Sequence, residues 1–125
     1  MDTFASIANI LEEILDLEPG TVTPETYIMR DLDAESIDLL EIGVAMEQRF
    51  RIPVVDDKLF LKSLRMALAS AETRGVTPEA ALTQAYPHLT AERLSEILCD
   101  LEAGPVLKMQ DLVAYATHHL QSRSA

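Results

Sequence analysis

Behind Ser36 the apolar residues fall into two sets: Ile37, Leu40 and Val44, and then Leu39, Ile42, Met46 and Phe50. Each set keeps the three- and four-residue steps of a helix, and the two point in different directions. One helix from about Ile37 to Arg49 or Phe50 accounts for both, and Pro53 prevents it from continuing. Asp38, Glu41 and Glu47 add negative charge along it. Ser36 stands where an N-cap would, with its hydroxyl placed to satisfy an orphan N–H of the first turn. Gly43 is the anomaly, because a glycine inside a helix costs about 1 kcal/mol relative to alanine. Two readings account for it: close packing by a neighbouring helix, or space left open beside the missing side chain.

The same period governs the rest of the chain. Phe4, Ile7, Ile10, Leu11, Ile14 and Leu15 give a first helix that Asp2 or Thr3 caps and Pro19-Gly20 ends. Residues 21–30 read as a long loop. Within it Thr23-Pro24-Glu25 has the signature of one short helical turn, and Tyr27 and Ile28 pin the loop to the core. Leu59, Phe60, Leu61, Leu64, Met66, Ala67 and Leu68 predict a helix to about Thr73, closed by Gly75. Thr77-Pro78-Glu79 and Thr90-Ala91-Glu92 each start a further helix. The second of these carries Leu94, Ile97, Leu98 and Leu101 and ends at Gly104-Pro105. A last helix follows Lys108, with Leu112, Val113, Ala116 and Leu120 on its packing face. The expected fold class is all-α.

Composition narrows the function. A chain of 125 residues holds one compact domain with its own core but is short for two. Apolar residues make up 48% and are spread throughout, which excludes disorder. Acidic residues outnumber basic ones 21 to 10, for a net charge of −11. Such a field repels nucleic-acid phosphates and anionic membranes and favours partners with basic docking surfaces. A single cysteine excludes an internal disulfide, and Cys99, with no histidine or acid placed as an obvious partner, reads as a structural thiol. Met1-Asp2-Thr3-Phe4 lacks a basic n-region followed by an apolar h-region, and no apolar run approaches membrane-spanning length. A cytoplasmic protein is expected. His118 and His119 point about 100° apart on a helix and cannot form an i,i+4 metal pair, and His88 has no partner at suitable spacing. All three read as ordinary polar residues, with no metal site. No nucleophile–base pair or phosphate loop is visible, so an enzyme is not expected.

The run Asp31-Leu32-Asp33-Ala34-Glu35-Ser36-Ile37-Asp38-Leu39-Leu40-Glu41, followed by Phe50, Ile52 and Pro53, resembles the prosthetic-group site of acyl carrier proteins. In that family an acidic residue, a serine and a large aliphatic residue open the second helix, most often as Asp-Ser-Leu. Here the triplet is Glu35-Ser36-Ile37. The resemblance resumes at Val106–Tyr115, which is similar to the family's last helix but has Lys108 where a capping threonine is usual. That difference predicts a weaker helix start. The resemblance covers roughly residues 3–57 and 105–121. Between these parts the family has only a short third helix and a linker. Residues 58–104 therefore read as an insertion of about three helices within a single carrier domain, 1–125.

What the resemblance implies is a non-enzymatic acyl carrier. Ser36, flanked by Glu35 and Ile37, would bear 4′-phosphopantetheine, transferred from coenzyme A by a phosphopantetheinyl transferase. The terminal thiol of that arm would hold an acyl group as a thioester for enzymes of fatty acid, lipid or related biosynthesis. Ile37, Leu40 and Val44, with Asp38, Glu41 and Glu47, would dock acyl-transferring or acyl-ligating enzymes. Gly43 and Met46 would border the acyl cavity, and the protein would act as a monomer. Two alternatives stay open. One is a carrier of an aminoacyl or other pathway-specific group. The other is a helical protein-interaction module that keeps the fold without the arm, with Ser36 as a plain cap.

Overall fold

The Asp2 carboxylate accepts the Ala5 N–H at 3.3 Å and so caps helix α1, Thr3–Leu15. The computed structural model describes residues 2–124. Helix α1 ends before Pro19-Gly20 is reached, because Asp16 turns left-handed at φ 57° and its N–H closes on Glu12 O. The chain then forms α2 (Ser36–Phe50), α3 (Asp56–Leu59), α4 (Leu64–Arg74), α5 (Pro78–Ala85) and α6 (Ala91–Asp100). A 3-10 turn at Leu101–Ala103 leads to α7, Met109–Ser124. No strand occurs among the described residues, and the fold is all-α. None of these helices is long and apolar enough to cross a membrane.

Helix α1 packs on α2 and α7, and α3 lies against both α2 and α7. Helix α5 sits between α4 and α6. One continuous apolar cluster joins Ile7 and Leu11 of α1, Ile42 and Met46 of α2, and Leu112 and Tyr115 of α7 to Leu64, Leu82, Leu94 and Ile97. Each large aliphatic side chain fully buried contributes about 1.5–3 kcal/mol. Helices as short as α5 persist through such burial and not through propensity.

The structure divides the helix expected over 59–73. Leu59, Phe60 and Leu61 are all buried, and three consecutive residues cannot share one face of a helix. The chain resolves the conflict by stopping α3 at Leu59, turning through a left-handed Leu61 (φ 57°) and restarting at Leu64. A left-handed leucine costs about 1–2 kcal/mol, which the burial offsets. Thr23-Pro24-Glu25 also departs from expectation, forming a turn and no helix. Thr26 Oγ1 accepts the Thr23 N–H at 2.9 Å, and Tyr27 goes on to pair with Lys108 in an isolated antiparallel bridge. Ile28 is fully buried, and its N–H reaches Leu107 O at 3.0 Å.

Helix α7 starts more firmly than Lys108 suggested. Asp111 Oδ2 accepts the Lys108 N–H at 2.9 Å, replacing the missing threonine. Arg93 of α6 grips the same carboxylate with two bonds of 2.7 Å and donates a third, also 2.7 Å, to Val106 O. Both side chains are buried. At the far side the Tyr115 hydroxyl donates to Pro53 O at 2.9 Å and accepts the Val55 N–H at 3.1 Å, tying α7 to the approach of α3.

Candidate functional site

Ser36 is the first residue of α2, and the N-cap is Glu35, one residue earlier than expected. Glu35 is extended (φ −103°, ψ 173°), and its N–H is accepted by Asp38 Oδ2 at 2.9 Å. The helix start is thus satisfied without the serine. Ser36 is exposed, and its hydroxyl takes no part in capping. It stands at the positive dipole end of a 15-residue helix, an environment suited to an anion.

The two apolar sets of α2 part as their spacing requires. Leu39, Ile42, Met46 and Phe50 are buried. Ile37, Leu40 and Val44 stay 64%, 56% and 49% exposed, which marks them as an unpartnered face. Glu41 and Glu47 are exposed on the same helix. Asp38 is half-buried because its carboxylate serves the helix start.

Of the two readings of Gly43, close packing by a neighbour and open space, the structure has the first. A Cβ there would lie 3.4 Å from Asp56 Oδ1 and 3.5 Å from Phe60 Cε2, so the glycine lets α3 pack closely on α2. Met46 is fully buried. The open space lies at the other end of the helix, as a cleft of about 680 Å³ with Ser36 and Leu39 on one side. Phe60, Leu61 and Leu64 line it from the α3–α4 turn, and Leu101, Pro105 and Val106 line it from the stretch after α6.

The histidines, read from sequence as ordinary polar residues, gather about Tyr115. His88 stacks edge-on with Tyr115 at 5.3 Å between ring centroids, Tyr115 lies 4.4 Å from His119, and His118 is 5.4 Å from His119. His88 Nε2 and the Tyr86 hydroxyl are buried without partners. Burial, with the neighbouring charges of His118, His119 and Lys58, holds His88 down to about 4. Burial, with Asp57 adding to it, pushes Tyr86 up to about 12. His88 reaches Tyr115 from a distant part of the chain, so no local pattern could have shown that contact. Among the described residues no group of histidines, cysteines or acids is arranged to hold a metal ion. Cys99, read as structural, is exposed on α6.

The family model for the phosphopantetheine attachment site matches residues 5–68. The acyl carrier protein of Helicobacter hepaticus is 36% identical over 58 residues, which are 46% of this chain and 76% of that protein. The acyl carrier protein of a Picosynechococcus species is 39% identical over 56 residues, 45% of this chain and 69% of that protein. The meromycolate extension acyl carrier protein of Mycobacterium tuberculosis is 36% identical over 58 residues, but these span only 50% of its length. No solved structure matches the chain. The chain belongs to the acyl carrier protein family. Its prosthetic group is 4′-phosphopantetheine, and carrier domains of this family are not themselves enzymes. The group fits what the structure offers at Ser36: an exposed hydroxyl free of capping duty, at a helix N-terminus and on the rim of a cleft.

Proposed function

We propose that Ser36 is the attachment residue and that residues 1–125 form a single carrier domain enlarged by the helices α4 to α6. In this reading the protein presents acyl groups to enzymes of fatty acid, lipid or related biosynthesis in the cytoplasm. The observation that carries it is the free Ser36 hydroxyl on a helix whose start Glu35 and Asp38 already satisfy. When bound, phosphopantetheine supplies a flexible thiol that holds the acyl group as a thioester. The protein's own residues do the rest. The Glu35–Asp38 bond holds the first turn in place, and with it the backbone that presents Ser36 to a phosphopantetheinyl transferase. The N-terminal N–H groups of α2 favour the negative charge of a phosphodiester.

Ile37, Leu40 and Val44 give partner enzymes an apolar anchor, and Glu41 and Glu47 steer basic surfaces toward it. A relative named for meromycolate extension supports a lipid-building setting. Incubation with a broad-specificity transferase and coenzyme A, followed by proteolysis and mass spectrometry, tests the assignment. Added mass on the peptide containing Ser36 supports it, and that peptide found unmodified beside a modified one elsewhere contradicts it.

A further inference from the structure

The cleft beside Ser36 has mostly apolar walls, and its two charged lining residues are both cationic. Lys62 and Arg65 stand among its walls of Phe60, Leu61, Leu64 and Leu101, and no carboxylate lines it, although the chain has 21 acidic and only 10 basic residues. Neither cation forms an ion pair among the described residues. One arm of the Arg65 guanidinium is anchored on Leu101 O at 2.9 Å, which leaves its other N–H groups free to act as donors. The Lys62 ammonium lies 5.9 Å from the centre of the Phe60 ring. The left-handed Leu61, held by the bond from Lys62 N–H to Asp57 O at 3.1 Å, fixes where Lys62 leaves the chain. Strain of this kind persists only where surrounding packing enforces it.

We propose that this cleft receives the acyl cargo borne on Ser36, and that Lys62 and Arg65 select a chain ending in a carboxylate, the half-thioester of a dicarboxylic acid. The inference rests on Ser36 being the attachment residue. A volume of about 680 Å³ falls within the usual range for small-molecule sites. The apolar walls favour withdrawal of methylenes from water. A carboxylate at the end of such a chain would be penalised in an apolar cleft without a cation. Here it meets two, both at exposed positions where the ion need not be fully desolvated, and the arginine fork suits a carboxylate bidentately. Leu64, Arg65, Leu101 and Pro105 all come from the helical stretch α4 to α6 and its exit, which gives that stretch a part in choosing cargo.

The test compares the protein loaded on Ser36 with a decanoyl chain and with a ten-carbon chain ending in a carboxylate, the loading being verified by mass. The arm's phosphodiester is common to both, so any difference between them reports the cargo carboxylate. The carboxylated form is expected to melt about 3 °C higher than the decanoyl form at low salt. Amide resonances of Lys62, Leu64, Arg65 and Leu101 should shift more for the carboxylated cargo. Lys62→Gln should reduce the difference and Lys62→Gln/Arg65→Gln should abolish it, each carboxylated form being compared with the decanoyl form of the same variant, so that loss of the Arg65–Leu101 bond falls on both cargoes alike. The single change keeps the Arg65–Leu101 bond and so guards against a folding defect. Equal melting for the two cargoes, or a difference that survives both changes, would overturn the selection by charge. Absence of shifts in the cleft for either cargo would overturn its role as the cargo site. A protein that gains no mass at Ser36 would instead refute the carrier assignment on which the inference rests.

Discussion

His88 lies where the α5–α6 connection meets α7, enclosed by Tyr86 and Tyr115 and facing the charges of His118, His119 and Lys58. The unfolded chain takes up this proton from about pH 6.5 downward, whereas burial makes the folded protein refuse it until about 4. Stability is therefore complete above about pH 6.5 and declines as pH falls through that window. His119, also held low by burial and by His118, acts in the same sense. The loss attributable to His88 is about 1–3 kcal/mol, reduced by partial access of water to the ring. Denaturant titrations of wild type and His88→Gln at pH 7 and pH 5 check this: the variant should lose less stability between the two, and equal losses would show that His88 is not the cause. Ser36 poses the opposite case, a residue read correctly as standing at a helix start but displaced by one position from the cap. Local preference favours a serine over a glutamate as the cap, and the bond from the Glu35 N–H to Asp38 overrides it.

The elements legible in the sequence were those with local signals at both ends. Thr77 caps α5 and Thr90 caps α6 through bonds of 3.2 and 3.1 Å to the third residue on, and Gly75 closes α4 at φ 73°. The break between α3 and α4 was hidden because Leu59, Phe60 and Leu64 keep helical spacing whether or not Leu61 interrupts them. How elements hold one another was hidden too, since Arg93 and Asp111 meet only after α6 and α7 have packed. Removing one member of a buried pair strands the other. Arg93→Met should therefore cost about 3–5 kcal/mol, while Arg93→Met/Asp111→Leu should recover a large part of it. Equilibrium denaturation of the two variants decides the matter, and a double mutant less stable than the single one would contradict the argument. At Gly43 the neighbours leave room for a methyl group but nothing larger. Gly43→Ala should thus melt at or above wild type, by up to about 1 kcal/mol from helix propensity. Gly43→Leu should lose about 1–3 kcal/mol through overpacking against α3.

At the scale of the whole molecule, the proposed function makes one docking device of the charge of −11 and the exposed stripe of Ile37, Leu40 and Val44, a long-range attraction joined to a short-range anchor. Glu41→Lys and Glu47→Lys should slow loading by a transferase, and added salt should slow loading of the wild type, because exposed charges are screened over about 8–10 Å at physiological ionic strength. These two positions test steering cleanly, whereas Asp38 also holds the helix start. Loading rates indifferent to salt and to both reversals would leave recognition to the apolar stripe alone. The stripe was legible from spacing because α2 shows its two faces in its own sequence, one buried and one not. The cleft was not, since Ser36, Leu64, Leu101 and Val106 come together only through the path of the chain between them. The most direct test of the carrier assignment is the intact mass of wild type and Ser36→Ala after incubation with transferase and coenzyme A. Because the Ser36 hydroxyl does no capping work, the variant should keep its helical circular dichroism and lose no more than about 0.5 kcal/mol. Wild type should gain the mass of one phosphopantetheine and the folded variant none; the same gain in both would contradict the assignment.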